Sequence, residues 1–106
     1  YNRALLFVYP SYYEGFGIPI LEAYTCNCPV ALSQASCFPE IAENAAAYFD
    51  PFSVSSMAEA IKSVIYDEAE RTRLILAGKE RIKLYSWEKA TRQTELVYRK
   101  VAKAVF

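Results

Sequence analysis

Residues 4–9, Ala-Leu-Leu-Phe-Val-Tyr, form an unbroken apolar run that Pro10 stops. An apolar run without alternation is how a strand buried on both faces of a parallel sheet reads. Shorter runs of the same kind follow at 29–32, Pro-Val-Ala-Leu, and at 46–49, Ala-Ala-Tyr-Phe. Between the first two, Ile20, Leu21, Ala23 and Tyr24 recur at helical spacing over Pro19 to Cys26. Pro19 takes the first helical position, where its missing N–H removes no bond. Strand, helix, strand is a βαβ unit, so the fold class is α/β with a parallel sheet of about three strands and a helical C-terminal portion.

The first helix ends at Cys26-Asn27, where asparagine can take the left-handed conformation that closes a helix, and Pro29 blocks continuation. A short helical turn is expected from Pro39 through Glu43, then the third strand and a turn at Asp50-Pro51. Beyond it Met57, Ala60, Ile61, Val64 and Ile65 mark one helical face, capped by Ser53 or Ser56, with Glu59 completing a capping box from Ser56. Asp67 and Glu70 repeat that box ahead of a helix through Leu84, in which Leu74, Gly78 and Ile82 recur every four residues. Ser86 caps a last helix whose Trp87, Ala90, Thr94, Val97, Val101 and Ala104 share a face. The charges on these helices read as solvated faces.

Composition narrows the function. The chain has 106 residues, 54% hydrophobic and 23% charged, the balance of one globular domain with a real core. No linker or repeat divides it. Its 12 Lys and Arg offset 12 Asp and Glu, so the attraction that non-specific nucleic-acid or anionic-lipid binding rests on is missing, and no nucleic-acid partner is expected. Having no histidine excludes Ser-His-Asp and Cys-His catalysis and the His-Glu-x-x-His zinc site within this chain, because each needs an imidazole. No apolar stretch reaches the roughly 18 residues that span a bilayer, and residues 1–10 carry no signal-peptide pattern, so a soluble cytoplasmic protein is expected. Cys26, Cys28 and Cys37 are odd in number, which fits a reducing compartment rather than a disulfide framework. A three-thiolate metal site would lack a fourth Cys or His to close it; the plainer reading is of small buried thiols, and no metal is expected.

Two of the three glycines, Gly15 and Gly17, fall inside Glu14-Gly-Phe-Gly-Ile-Pro-Ile-Leu-Glu22, after the first strand and at the start of the first helix. Open α/β sheets bind ligands at the carboxyl ends of their strands, and glycines let backbone N–H groups approach a ligand with no Cβ between. The helix start adds unpaired donors and a positive dipole end, which suits a phosphate near Gly15 to Ile18. The run is neither a Walker loop nor a dinucleotide fingerprint, since the Lys-Ser/Thr of one and the third glycine of the other are missing. Two carboxylates flank it instead. An ionised carboxylate accepts hydrogen bonds from two neighbouring hydroxyls at once, so Glu14 and Glu22 read as sugar-hydroxyl readers on either side of a phosphate site. Pro19 puts Glu14 on the loop and Glu22 in the first helical turn, so the two address different parts of one ligand. A plainer reading stands beside this: Glu22 stabilises the helix dipole by itself, and Glu14 is an ordinary loop acid.

Taken together, Pro10-Ser11, Glu14-Gly-Phe-Gly-Ile-Pro, Glu22-Ala, Pro29-Val, Pro39-Glu40 and Asp50-Pro51 resemble the C-terminal domain of family 4 retaining glycosyltransferases, whose signature is a pair of glutamates spaced like Glu14 and Glu22. The likeness runs on to Tyr85-Ser-Trp-Glu88 before the last helix. It implies the GT-B architecture of two Rossmann-like domains, hence a three-layer Rossmann-like sheet here, with a nucleotide-diphosphate-sugar donor in the C-terminal domain and the acceptor in the other. It further implies that Glu14 is the catalytic residue, touching the transferred sugar's hydroxyls near the reacting face, and that Glu22 holds the ribose hydroxyls. The main-chain amides of Phe16, Gly17 and Ile18, with Gly15 beside them, would meet the sugar and diphosphate. The nucleotide sugar is then a substrate, with no cofactor or metal required, and Pro39-Glu40 is mainly structural.

Asn27 departs from the family's usual glycine, which a left-handed cap tolerates, and Cys28 fills a variable position. The Arg/Lys pair that neutralises the diphosphate in these enzymes lies upstream, as do the acceptor domain and its histidine; Arg3 is too close to the motif to replace them. Residues 1–106 are therefore expected to be a donor-binding domain truncated at its N-terminus, inactive alone, from a longer glycosyltransferase of glycan or polysaccharide biosynthesis. Such an enzyme would be cytoplasmic, or peripheral to the cytoplasmic membrane face through its other domain. The last helix, which in the family crosses to the acceptor domain, has nothing here to pack on, so a homo-oligomer or swapped dimer is expected of the fragment. The alternative is a non-catalytic module that binds nucleotide sugars or protein partners.

Overall fold

The computed structural model describes residues 1–105. Three short strands, β1 (Phe7–Tyr9), β2 (Val30–Ser33) and β3 (Ala47–Phe49), pair in parallel in the order β1-β2-β3. Phe7 faces Val30 and Tyr9 faces Leu32 across the first ladder; Ala31 faces Ala47 and Ser33 faces Phe49 across the second. Helix α1 (Ile18–Thr25) joins β1 to β2, and α2 (Phe38–Ala42) joins β2 to β3. Three more helices follow: α3 (Val54–Ile65), α4 (Glu68–Ile82) and α5 (Trp87–Val105).

The side-chain period of two sorts the strands into two faces. Val30 and Leu32 point to a core built with Ile20, Ala23 and Tyr24 of α1 and Phe38, Ile41 and Ala42 of α2, against which Ala77 and Ile82 of α4 pack. Ala31 and Phe49 point the other way, onto Ala60 and Met57 of α3. The result is three layers, helix, sheet, helix, as the resemblance implies. Buried side chains such as Phe38, Phe49 and Leu74 each stabilise this arrangement by roughly 1.5–3 kcal/mol relative to exposure.

Local signals mostly act as read. Asn27 takes φ 55, and the N–H groups of Asn27 and Cys28 donate to the carbonyls of Tyr24 and Ala23, the paired bonds of a Schellman close. Ser53 caps α3 by accepting from the Ser56 N–H at 3.2 Å, Asp67 caps α4 from Glu70 at 3.0 Å, and Ser86 accepts from the Lys89 N–H at 3.0 Å.

Several expectations are corrected. The first strand begins at Phe7, not Ala4, and is half-buried rather than covered on both faces. Its ladder stops where Phe7 donates to the Pro29 carbonyl, because Pro29 has no N–H to return. Ser56 does not cap α3; its hydroxyl accepts from the Asp50 N–H at 3.0 Å and ties the preceding turn. Cys28 is buried, but Cys26 and Cys37 are only half-buried. The helix charges are not all solvated faces. Arg71 donates to the carbonyls of Val64 and Ile65 at the end of α3, and Arg81 to those of Glu40 and Ile41 in α2, in both cases satisfying acceptors that a helix end leaves open.

Among the described residues, α5 buries nothing: Trp87, Leu96, Val97, Tyr98, Val101 and Val105 are exposed. The helix projects from the layers, giving the chain extents of 58 × 27 × 19 Å. Among the described residues no helix is long and apolar enough to cross a membrane.

Candidate functional site

The turn between β1 and α1 lies at the carboxyl end of the strands, where α/β sheets bind ligands. Gly17 makes it possible. It caps α1 at φ 98, and a Cβ there would come within 3.0 Å of both Ile20 Cδ1 and Phe38 Cε1. Only glycine satisfies both the left-handed backbone and the close seat on the Phe38 ring. Gly15 differs: a Cβ there would meet nothing within 4 Å, so the fold itself does not demand glycine at that position. Gly17 offers no side-chain cap to α1, and among the described residues the amides of Phe16 and Gly17 enter none of the turn or loop hydrogen bonds. The beginning of α1 therefore presents unpaired donors at its positive dipole end.

Glu14 is half-buried and held from several directions. Ser11 Oγ donates to its Oε1 at 3.1 Å. Burial first, then the neighbouring Glu14 carboxylate, pushes the Tyr9 hydroxyl up to about 12. The Glu14 backbone is gripped by the loop between β2 and α2. Ser36 Oγ accepts from the Glu14 N–H at 3.2 Å and donates to its carbonyl at 2.9 Å, while Cys37 Sγ lies 3.3 Å from that carbonyl and 3.2 Å from that of Phe16. Of these partners Ser11 stood in the resemblance without a role, Cys37 was weighed only as a thiolate or a buried thiol, and Tyr9 and Ser36 carried no site signal in the sequence, since their part depends on two loops meeting in space.

Glu22 is exposed and sits one residue past the first turn of α1, because the helix starts at Ile18. It lines a groove of ≈ 690 Å³ between α1 and the start of α5, together with Phe16, Ile18, Leu21, Tyr85 and Trp87. Phe16 meets Tyr85 edge to face with ring centroids 5.6 Å apart, which seats the motif's aromatic residue on the turn after α4. The structure thus brings Phe16, Ile18 and Glu22 together along the groove and gives Glu14 separate neighbours at the strand ends. Among the described residues no arginine or lysine lines the groove, and no cluster of three or more His, Cys, Asp or Glu could hold a metal ion.

The strand-to-helix turn, with its open amides and a glutamate on each side, lies inside the part of the chain that a known family matches. The sequence profile described as "Glycosyl transferases group 1" matches residues 1–81, and the chain belongs to that family. It is 39% identical over 99 residues to O-antigen chain mannosyltransferase B of Escherichia coli, covering 93% of this chain and 26% of the relative. It is 33% identical over 110 residues to alpha-maltose-1-phosphate synthase of Mycolicibacterium smegmatis, covering 95% of this chain and 28% of that protein. Among solved structures, sucrose-phosphate synthase from Thermosynechococcus elongatus superposes with a TM-score of 0.84 at 32% identity, over 95% of this chain and 26% of that one. The chain thus spans about a quarter of the length of these relatives, and its three-stranded parallel sheet with helices matches part of a Rossmann-like domain of the GT-B architecture.

Proposed function

We propose that this chain is the donor-binding part of a retaining glycosyltransferase that moves a hexosyl group from a nucleotide-diphosphate sugar to an acceptor in glycan or polysaccharide synthesis. The observation that carries the reading is the turn itself: unpaired amides at Phe16 and Gly17, with a held carboxylate at Glu14 and an open one at Glu22. Glu14 takes the hydroxyls of the transferred sugar, and Glu22 takes the ribose hydroxyls. The amides from Phe16 to Ile18 meet the sugar and diphosphate, and Gly15 leaves room for their approach. Catalysis on this side is positioning plus stabilisation of the departing diphosphate by preorganised donors, while positive charge develops at the sugar carbon.

The cations that neutralise the diphosphate and the acceptor site are assigned to the remainder of a longer protein. The uncovered apolar face of α5 is assigned to contact with that remainder. The reading is tested by titrating the whole protein that carries this chain with nucleoside-diphosphate hexoses and following hexose release or transfer. Saturable donor binding with turnover is expected. Failure of every common nucleoside-diphosphate hexose to bind would contradict it and favour a structural module.

A further inference from the structure

Resting on the donor-site reading above, we propose that Ser36, in the loop between β2 and α2, is the positioning residue that sets Glu14 for the transfer step. The loop from Pro10 to Gly17 is exposed at Tyr12, Tyr13, Gly15 and Phe16, and its aromatic contacts, Tyr12 on Phe52 and Phe16 on Tyr85, lie to either side of Glu14 and leave its peptide groups unheld. A loop in that state would sample many backbone conformations, and a carboxylate displaced by about 1 Å loses much of its effect on a reaction. One hydroxyl removes that freedom at Glu14. Ser36 Oγ closes a two-way bridge with the Glu14 peptide groups, accepting at 3.2 Å and donating at 2.9 Å. The adjacent Cys37 thiol reaches the carbonyls of Glu14 and Phe16, so the same loop also aims the amide that follows Phe16. Because the main chain is fixed from behind, the Glu14 carboxylate is left to Ser11 and to a ligand.

Ser36 holds this bridge at a backbone conformation unfavourable for its residue type. It sits at φ 55, in the left-handed region where glycine would be the relaxed choice. Glycine at position 36 would relieve that backbone while removing the hydroxyl, so a variant that keeps its stability but loses turnover separates positioning of Glu14 from support of the fold.

The test uses the whole protein that carries this chain, in wild-type form and as Ser36→Ala, Ser36→Gly and Glu14→Gln. Loss of the bridge in either Ser36 variant is expected to lower kcat about tenfold, the scale of the hydrogen bonds removed, with the donor KM within about twofold of wild type because the ribose end is held elsewhere. The thermal midpoint of Ser36→Gly is expected near that of wild type, because relief of the left-handed backbone offsets the two lost hydrogen bonds, so its lost turnover would not come from misfolding. Wild-type kcat in both Ser36 variants, while Glu14→Gln is inactive, overturns the positioning role and leaves the donor-site reading intact. A raised KM at unchanged kcat also overturns it. Wild-type turnover by Glu14→Gln overturns the functional reading and this inference with it.

Discussion

At the Glu14 end of the strand-to-helix turn, side chains from β1, from the turn itself and from the loop before α2 converge on one residue's backbone and carboxylate. At the Glu22 end the carboxylate stands exposed beside Tyr1, whose hydroxyl is held above its usual pKa by burial and then by this carboxylate, and over a groove whose far wall is formed by Tyr85, Trp87 and the start of α5, a helix that buries nothing among the described residues. One signature therefore has a fixed half and an open half. On the proposed roles, the two halves would do two kinds of work. A group acting on reacting atoms gains from being fixed before the ligand arrives, whereas a group that holds a remote part of the ligand contributes affinity and tolerates motion.

The contrast can be broken at its fixed end first. Glu14→Gln keeps the shape and removes the charge, and kcat in the whole protein is expected to fall by about 10²–10³, with the KM for donor little changed, as measured by steady-state transfer. An equal loss appearing in KM would put Glu14 in the binding half instead. The next effect is on the seat of the turn. Gly17→Ala forces a Cβ to within 3.0 Å of Phe38 and Ile20 at φ 98, so a stability loss of about 2–4 kcal/mol is expected from chemical denaturation. An unchanged denaturation midpoint would show that the turn is not built on Phe38.

How much of this was legible follows the same division. The strands, the Asn27 close and the Ser53, Asp67 and Ser86 caps could be read because each depends on residues near in sequence. Apolar character carries the first strand's signal back to Ala4, while the ladder is limited by a proline on its partner, Pro29. Ser56 looked like a cap by spacing but is engaged by Asp50, a competition that local pattern does not show. Arg81 looked like a surface charge; its carbonyl partners in α2 lie about forty residues away in sequence, beyond any helical period. For the site, both glutamates and both glycines could be picked out from clustering, but not the grip of Ser36 and Cys37 on Glu14, nor the seating of Phe16 on Tyr85. Amphipathic spacing identified the face of α5 and could not say what lies against it.

The central claim is that the fixed carboxylate addresses the sugar and the open one the nucleotide, and it is tested most directly by calorimetric titration of the whole protein with a nucleoside diphosphate that lacks the sugar. Glu22→Gln is expected to weaken that affinity at least tenfold, because a charge-assisted pair of hydrogen bonds to the ribose is lost, while Glu14→Gln leaves it within about twofold of wild type. If Glu14→Gln weakened the sugar-free nucleotide as much as Glu22→Gln did, the assignment of the two glutamates would be contradicted.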